Sequence, residues 1–199
     1  MGSTAVVVAL LLLVCSTVSS DGQDRTSECI NSRDDPELSD GAVIEVFCRR
    51  IAAYVTLRDE LQETLPPLRV TNDVAAIRNA VRALATAIRA TRHRPREGGI
   101  FTSGVGGQVR TRLRHVVTDE TCAAIRADNP GRLLGPVSQD YPEGKPLSTT
   151  PATVLASLPG LPPNIEYRFM GRDLILLDTR ANIVIDRMVD AVRCGDEES

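Results

Sequence analysis

Apolar and polar positions alternate most regularly near the C-terminus, between residues 164 and 188. The apolar members of the first alternation are Ile165, Tyr167 and Phe169. A period of two is typical of a half-buried β-strand. Gly171 and Arg172 follow as a Gly-X pair that suits a two-residue type II′ hairpin turn, and a polar break at residues 178–182 separates two further apolar runs. The pattern predicts two or three short antiparallel strands.

Helical periodicity dominates the first half of the chain. Apolar residues at spacings of three, four and seven predict a helix from about Gly41 to Thr64: Val43, Phe47, Ile51, Tyr54, Leu61 and Leu65. Ser39 or Asp40 can cap the start of this helix by accepting hydrogen bonds from its first N–H groups. Pro66 and Pro67 end it.

A second helix is predicted after a cap at Thr71 or Asn72, with Asp73 in its first turn. Its apolar stripe has alternating spacings of three and four: Val74, Ile77, Val81, Leu84 and Ile88. Alanines fill much of the remaining surface, so that a neighbour can approach closely. The short connection between two long helices favours an antiparallel hairpin within one chain over an intermolecular coiled coil.

Shorter elements fill the middle of the chain. They are a helix after Thr102 to about Val117, a short helix from Thr118 or Asp119 through Ala127, a connector over residues 128–150, and a short helix from Pro151 to about Ser157. Glycines 104, 106 and 107 should weaken the first turns of the helix that follows Thr102. The sequence therefore predicts one α+β domain over residues 41–194, in which a long N-terminal helical hairpin and shorter helices pack on a small C-terminal antiparallel β-meander.

The two ends of the chain differ from this domain. Residues 1–20 contain no charged side chain and include an apolar run of ten, which predicts a secretory signal peptide cleaved after Ser20. The run is too short to span a membrane, so no transmembrane span is expected in the mature chain. Residues 21–40 read as an acidic flexible leader and residues 195–199 as an acidic tail. A lipid anchor on Cys15 is the alternative, because residues 12–15 loosely resemble a lipobox.

Signal removal would leave four cysteines: Cys29, Cys48, Cys122 and Cys194. An even number in an exported chain predicts two disulfides, with three connectivities open. The spacings match no metal-binding pattern. Free buried thiols are the alternative.

An excess of arginine marks the centre of the chain, where nine arginines between Arg78 and Arg114 stand against one acid, Glu97. Seven of them are candidates for an anion-binding or partner-binding surface at helix ends: Arg89, Arg92, Arg94, Arg96, Arg110, Arg112 and Arg114. The partner would be an unknown protein or an anionic envelope component. Alternatively, these cations pair with the acids of a chain whose net charge is −3.

The predicted meander carries four carboxylates and two arginines: Glu166, Arg168, Arg172, Asp173, Asp178 and Asp186. If two of the carboxylates acted as general acid and general base beside an arginine, the protein would be a hydrolase. Structural roles are favoured, because Asp173 adjoins a turn and Asp178 has the setting of an Asx turn. Arg168 can pair with a cross-strand neighbour. Four apolar residues share one face and should cap the core: Tyr167, Phe169, Leu174 and Leu176.

Other chemistry finds little support in the sequence. His93 and His115 lie beside arginines and lack the spacing of a metal site, so no metal ligand, cofactor-binding residue or catalytic residue is predicted. The glycines of residues 104–107 follow no predicted strand and lack the Lys-Ser/Thr ending of a phosphate loop. Aromatic residues make up 3% of the chain, which together with export argues against a nucleic-acid partner.

Part of the chain is similar to known sequences. Its C-terminal residues include Glu166, Tyr167, Arg168, Phe169, Gly171, Arg172, Asp173, Asp178, Ala181, Asn182 and Asp186. This series resembles the EYRFxGRDLILxDxxANxIxD ending of a group of exported, uncharacterised bacterial proteins. Residues 99–102 resemble a second landmark of that group, but SGVGGQ replaces a Pro-led helix start, so the helix should begin later or be looser. The resemblance implies a bacterial source and export, and it implies no activity.

Together these observations lead to an expected function. The chain is expected to be a non-catalytic binding or interaction protein that is exported and lies in the periplasm, outside the cell or against the envelope. The competing expectation is a periplasmic hydrolase that uses the acidic residues and arginines near the C-terminal hairpin.

Overall fold

Five helices precede a three-stranded antiparallel sheet in the residues that the computed structural model describes, which are 41–92, 95–132 and 135–194. The helices are α1 (Gly41–Glu63), α2 (Val74–Thr91), α3 (Ser103–Val116), α4 (Asp119–Ala127) and α5 (Ala152–Ser157). The strands are β1 (Ile165–Met170), β2 (Asp173–Asp178) and β3 (Ile183–Met188). The predicted α+β class is confirmed. The predicted signal peptide, leader and tail, with Cys15, Cys29, His93 and Arg94, lie outside the described residues.

The long helical hairpin forms from α1 and α2, close to the predicted boundaries. The cap of α2 is Asp73 rather than Thr71 or Asn72. Its Oδ1 accepts hydrogen bonds from the backbone N–H groups of Ala75 at 2.8 Å and Ala76 at 3.3 Å. A carboxylate satisfies two otherwise unpaired donors and also complements the positive end of the helix dipole.

Only the C-terminal half of the α2 apolar stripe is buried. Leu84 and Ile88 belong to the core, whereas Val74 and Ile77 are 58% and 39% exposed. The periodicity of the stripe is that of one continuous face, yet the described part of the chain covers only the later turns. The beginning of α2 thus leaves apolar side chains in solvent.

The helix α3 contacts the sheet at one of its glycines. It begins at Ser103 with Thr102 as its cap, so the expectation of a later start is wrong. A Cβ atom added to Gly106 would lie 3.5 Å from Sδ of Met188, which is ordinary van der Waals contact, and 3.3 Å from Nη1 at the flexible end of Arg110. The helix therefore lies close to β3, and a small side chain at this position would need little rearrangement.

The sheet follows the predicted order and turns. In the β1–β2 hairpin Met170 pairs with Asp173, which leaves Gly171 and Arg172 as a two-residue turn. Gly171 has φ of +62°, and positive φ is confined to this first residue of the pair, as a type II′ turn requires. The register between β2 and β3 shifts at Leu176 and Leu177, where an irregularity interrupts the ladder.

The two faces of the sheet bury different clusters. The main core receives the four residues that were predicted to share a face: Tyr167, Phe169, Leu174 and Leu176. Phe47 of α1 stacks on Tyr167 with ring centroids 6.5 Å apart. A smaller cluster covers the other face: Tyr141, Met170, Ile175, Leu177 and Val184. Because β2 is buried on both faces, its sequence is an almost continuous apolar run.

The connector over residues 128–150 protects both edges of the sheet. On the β3 side, the N–H of Ser138 donates to the carbonyl of Val184 at 2.7 Å. On the β1 side, the hydroxyl of Ser148 donates to the carbonyl of Phe169 at 2.5 Å and accepts from its N–H at 2.9 Å. Since unpaired strand edges can recruit other chains, these contacts guard against association through the sheet.

A disulfide joins Cys122 of α4 to Cys194, with their Cα atoms 5.4 Å apart. The predicted disulfide bonding is confirmed for this pair. Cys48 is also disulfide-bonded and is fully buried, and its partner is not among the described residues. The bond at Cys194 fastens the last described residues to a helix 72 positions earlier in the sequence.

Loss of this disulfide should destabilise the fold strongly. We expect Cys122→Ala together with Cys194→Ala to lower the free energy of unfolding by about 4 kcal/mol, because a loop of this length restricts the unfolded chain considerably. Urea denaturation of the variant and the parent chain, both without reductant, measures the difference. A loss below about 1 kcal/mol would contradict a stabilising role for this bond.

Candidate functional site

Asp178, at the end of β2, is fully buried and fixes α1 against the sheet. Its Oδ2 accepts a hydrogen bond from the hydroxyl of Tyr54 at 2.7 Å and lies 3.6 Å from Nη1 of Arg58. Its Oδ1 accepts from the N–H groups of Arg180 at 2.9 Å and Ala181 at 3.3 Å, which is the predicted Asx turn. Burial raises the pKa of Tyr54, and the neighbouring carboxylate raises it further, so this hydroxyl remains a donor.

Asp186, in β3, fixes the segment that leads into α3. Its carboxylate accepts hydrogen bonds of 2.6 to 2.8 Å from the backbone N–H groups of Gly98, Ile100, Phe101 and Arg187. Burial raises the pKa of the Asp186 carboxyl, and these four hydrogen bonds partly offset the increase. The side chain of Asp186 therefore uses all its hydrogen-bonding capacity on backbone N–H groups of the same chain.

The remaining acids of the meander also have local partners. Asp173 is fully buried, and its Oδ1 accepts from the N–H of Asp190 at 2.9 Å. Arg168 donates to Glu166, two residues before it in the same strand, and to the carbonyl of Ser148 at 2.8 Å. The predicted cross-strand pairing of Arg168 is wrong, because the side chains of a strand at i and i+2 share one face.

These carboxylates do not converge on one place. Asp173 and Asp178 begin and end β2, which puts their Cα atoms about 17 Å apart. Arg172, the other arginine of the hydrolase hypothesis, pairs with Asp190 at 3.2 Å. Acid and base catalysis needs two groups within reach of one substrate, and the meander does not bring this pair together.

The arginines of the predicted anion surface mostly contact their own chain. Arg89 pairs with Asp140 at 2.7 Å. Arg92 donates to the hydroxyl of Ser138 and the carbonyl of Ile185, and lies over the ring of Tyr54 at 5.3 Å. Burial lowers the pKa of Arg92 below its ordinary value. At this end of α2 the cations thus serve to hold the helix on the sheet.

The same holds for the arginines of α3. Arg110 donates to the carbonyl of Val189 at 3.0 Å and Arg112 to that of Ser157 at 3.4 Å. Arg114 is exposed and donates to Thr111 within its own helix. Arg96 is exposed, and Arg94 lies outside the described residues. The structure therefore does not present the six described arginines of this set as one free cationic surface.

A groove of about 1070 Å³ lies at the loop end of the helical hairpin, where α1 connects to α2. We call it the hairpin-end groove. Its walls come from the end of α1, the loop after it, the first half of α2 and the β2–β3 turn: Asp59, Gln62, Glu63, Leu65, Pro66, Pro67, Leu68, Ala76, Asn79, Ala80, Val81, Ala83, Leu84, Thr179 and Arg180. Sequence reasoning did not find this site, although the alanines and the double proline are its signal.

The lining is mostly apolar, with one charged corner. Ala76, Ala80 and Ala83 are spaced by four and three residues, so they form a floor of small side chains along α2. At the corner, Asp59 Oδ1 lies 3.3 Å from Nη1 of Arg180 and 2.9 Å from Nη2 of Arg58. The groove thus combines apolar contact area with a carboxylate that two arginines, one of them buried, hold in place.

Exposed apolar side chains concentrate next to this groove. Four of the six large apolar side chains that are exposed in the described residues lie here: Leu68 at 50%, Val70 at 108%, Val74 at 58% and Ile77 at 39%. We call these four the apolar patch. Contiguous exposed apolar surface on a soluble protein commonly marks an interaction site.

A second cleft, of about 470 Å³, lies beside the edge of β1. Its polar groups include Glu166, Arg168 and Thr150, which are already bonded to one another or to the backbone. Within the described ranges, no group of three or more His, Cys, Asp or Glu side chains could hold a metal ion. No helix there is long and apolar enough to cross a membrane. The hairpin-end groove is the stronger candidate site.

Comparison with known proteins adds no assignment. No family model matches the chain, and neither a curated protein nor a solved structure shows a significant match to it.

The structural role of the meander carboxylates can be tested at Asp186. We expect Asp186→Asn to lower the free energy of unfolding by about 3 kcal/mol or more, because an amide cannot accept all the hydrogen bonds of this buried carboxylate. As the control, Glu166→Gln should cost less than about 1 kcal/mol, since that ion pair is partly exposed. Urea denaturation measures both. Equal effects of the two substitutions would refute the anchoring role of Asp186.

Proposed function

We propose that this protein is an exported, non-catalytic binding protein that holds a partner in the hairpin-end groove. The supporting observation is that the groove and the apolar patch lie side by side at one end of the helical hairpin. Burial of apolar surface contributes about 25 cal/mol per Å² to association. A partner therefore gains most from covering this end of the molecule.

The shape of the groove favours a protein segment as the partner. The alanine floor of α2 lets the partner approach the helix backbone closely, because no long side chain intervenes. Pockets for small molecules usually measure about 300–1,000 Å³ and enclose most of their ligand. A groove at the upper limit of that range, with solvent-exposed apolar side chains beside it, suits a helix or loop better than a metabolite.

The charged corner would orient the partner. Asp59 is held by Arg58 and Arg180, so its carboxylate is fixed in position before binding. Polar groups at the rim of an interface determine orientation and specificity more than affinity. The apolar walls would supply most of the affinity, and this corner would select how the partner enters.

The arginine-rich helix ends remain a weaker candidate for the binding surface. Arg89, Arg92, Arg110 and Arg112 each donate to another part of the chain, so a partner would have to replace those contacts. An unknown protein or an anionic envelope component could still meet the exposed Arg96 and Arg114. A partner that binds the apolar walls of the hairpin-end groove buries apolar surface without replacing such contacts.

Export is part of the same proposal. The uncharged apolar N-terminus and the four cysteines that follow it support a periplasmic or extracellular location, and the resemblance at the C-terminus supports a bacterial source. We expect the intact mass of the exported protein to be that of a chain starting at Asp21. A mass that includes a diacylglyceryl group on Cys15 would instead show a lipid-anchored protein. The mass of the full chain starting at Met1 would contradict signal cleavage.

Binding through the groove can be tested by capture with a blocked variant. Ala80→Trp places an indole on the groove floor, and Thr86→Trp places the same side chain on an exposed site that is not part of the lining. We expect the parent chain and Thr86→Trp to retain the same partner from the native envelope, and Ala80→Trp to lose it. Mass spectrometry of the captured proteins measures the difference. Equal capture by all three chains, or no reproducible partner, would contradict the proposal.

A further inference from the structure

We propose that the partner in the hairpin-end groove is a second copy of this chain, whose apolar patch enters the groove in a two-fold symmetric dimer. This inference rests on the proposed function, because it names the partner of the same site. Three features support it: exposed apolar surface, a groove beside that surface, and charges of both signs that have no ion pair among the described residues.

Packing among the described residues does not account for the apolar patch. Val70, Val74 and Ile77 do not line the groove, and they remain 108%, 58% and 39% exposed. Val74 and Ile77 nevertheless continue the stripe whose later members, Leu84 and Ile88, lie in the core. The apolar stripe is therefore longer than the part of it that the described residues bury.

The arrangement of patch and groove is the one that a two-fold contact requires. In an isologous interface the same surface occurs on both subunits, so a residue that contacts a second residue is contacted by it in return. Leu68 belongs to both the patch and the groove lining, and the other three patch residues lie nearby in the loop and the first turns of α2. Two copies related by a two-fold axis can exchange them, each inserting its patch into the groove of the other.

The charges at this end of the hairpin are also self-complementary. Two exposed acids, Glu60 and Glu63, lie at the end of α1, and two exposed arginines, Arg78 and Arg82, lie on α2. None of the four has an ion pair or side-chain hydrogen bond within the described part of the chain. A two-fold arrangement that places each α2 beside the partner's α1 brings the arginines of one copy to the acids of the other. This happens at both edges of the contact, which we call its rims.

This mixture of charges argues for a second copy over an anionic surface. A phosphate-rich or otherwise acidic surface would be attracted by Arg78 and Arg82 but repelled by Glu60 and Glu63. A second copy satisfies both sets at once. Both edges of the sheet are occupied by residues of the connector, so the helical hairpin is the better route to self-association.

The first test is the association state of the exported chain with its disulfides intact, measured by sedimentation equilibrium over a concentration series. We expect dimers with a dissociation constant in the micromolar range or tighter. Ile77→Glu should weaken the dimer more than about tenfold, because it puts a charge in the centre of the contact. Ala124→Glu, at an exposed position of α4 that belongs to neither the groove lining nor the apolar patch, should leave it unchanged.

The second test exchanges the charges. One variant carries Glu60→Arg with Glu63→Arg, and the other carries Arg78→Glu with Arg82→Glu. Each variant alone should dimerise more weakly than the parent, since like charges then meet at both rims. An equimolar mixture should form a mixed dimer, because every rim pair is again of opposite sign. The four sites are exposed, so circular dichroism should show that both variants keep the fold.

The results separate this inference from the proposed function. A parent chain that stays monomeric, a dimer that survives Ile77→Glu, or a mixture that associates no better than its components would overturn the dimer. If Ala80→Trp still abolishes capture of another protein in that case, the binding function stands and only the identity of the partner changes. If neither a dimer nor a groove-dependent partner is found, both proposals fall.

Discussion

Buried carboxylates fix two helical segments of this protein against its sheet. Asp173, Asp178 and Asp186 are all fully buried, and a charged group removed from water must recover its lost hydration from fixed donors. Asp178 finds them in α1, and Asp186 finds them in the loop before α3. Tyr54 donates a hydrogen bond to Asp178 and Arg58 lies 3.6 Å away as an ion-pair partner, whereas Asp186 accepts from backbone N–H groups. These two carboxylates thus set the positions of α1 and of the segment before α3, and apolar contacts fill the space between.

The abundance of arginine follows from the same constraint. A guanidinium carries five donors in a rigid fork, so one side chain can reach a carbonyl and a hydroxyl at once, as Arg92 does with Ile185 and Ser138. Arg110 and Arg112 likewise connect α3 to carbonyls far along the chain. These cations replace backbone hydrogen bonds that loops cannot make for themselves. A cluster of arginines in the sequence therefore predicts donors to the chain's own backbone as readily as it predicts a binding surface.

The sequence predicts most of the fold because the signals are local. The caps at Thr102 and Thr118, the double proline and the turn at Gly171 each act within a few residues, so helix and strand positions can be read from them. The protection of the sheet edges by Ser148 and the burial of a dense ring of donors around Asp186 depend on contacts between residues far apart in sequence. Such contacts leave no periodic pattern. The candidate site also depends on contacts between distant residues, because the groove forms where α1, α2 and the β2–β3 turn meet.

The first half of α2 shows what the fold alone does not require. Val74 and Ile77 are β-branched, and such side chains form helices less readily than alanine because their rotamers are restricted. At 58% and 39% exposure, they add little helix stability and are only partly buried. A fully buried aliphatic side chain would contribute about 1.5–3 kcal/mol. A hairpin built only for its own core would have polar residues at these positions, with alanine or glutamate as the better helix formers. The described residues leave this end of α2 partly in solvent, and contact with a second copy, as we propose, would account for its apolar character.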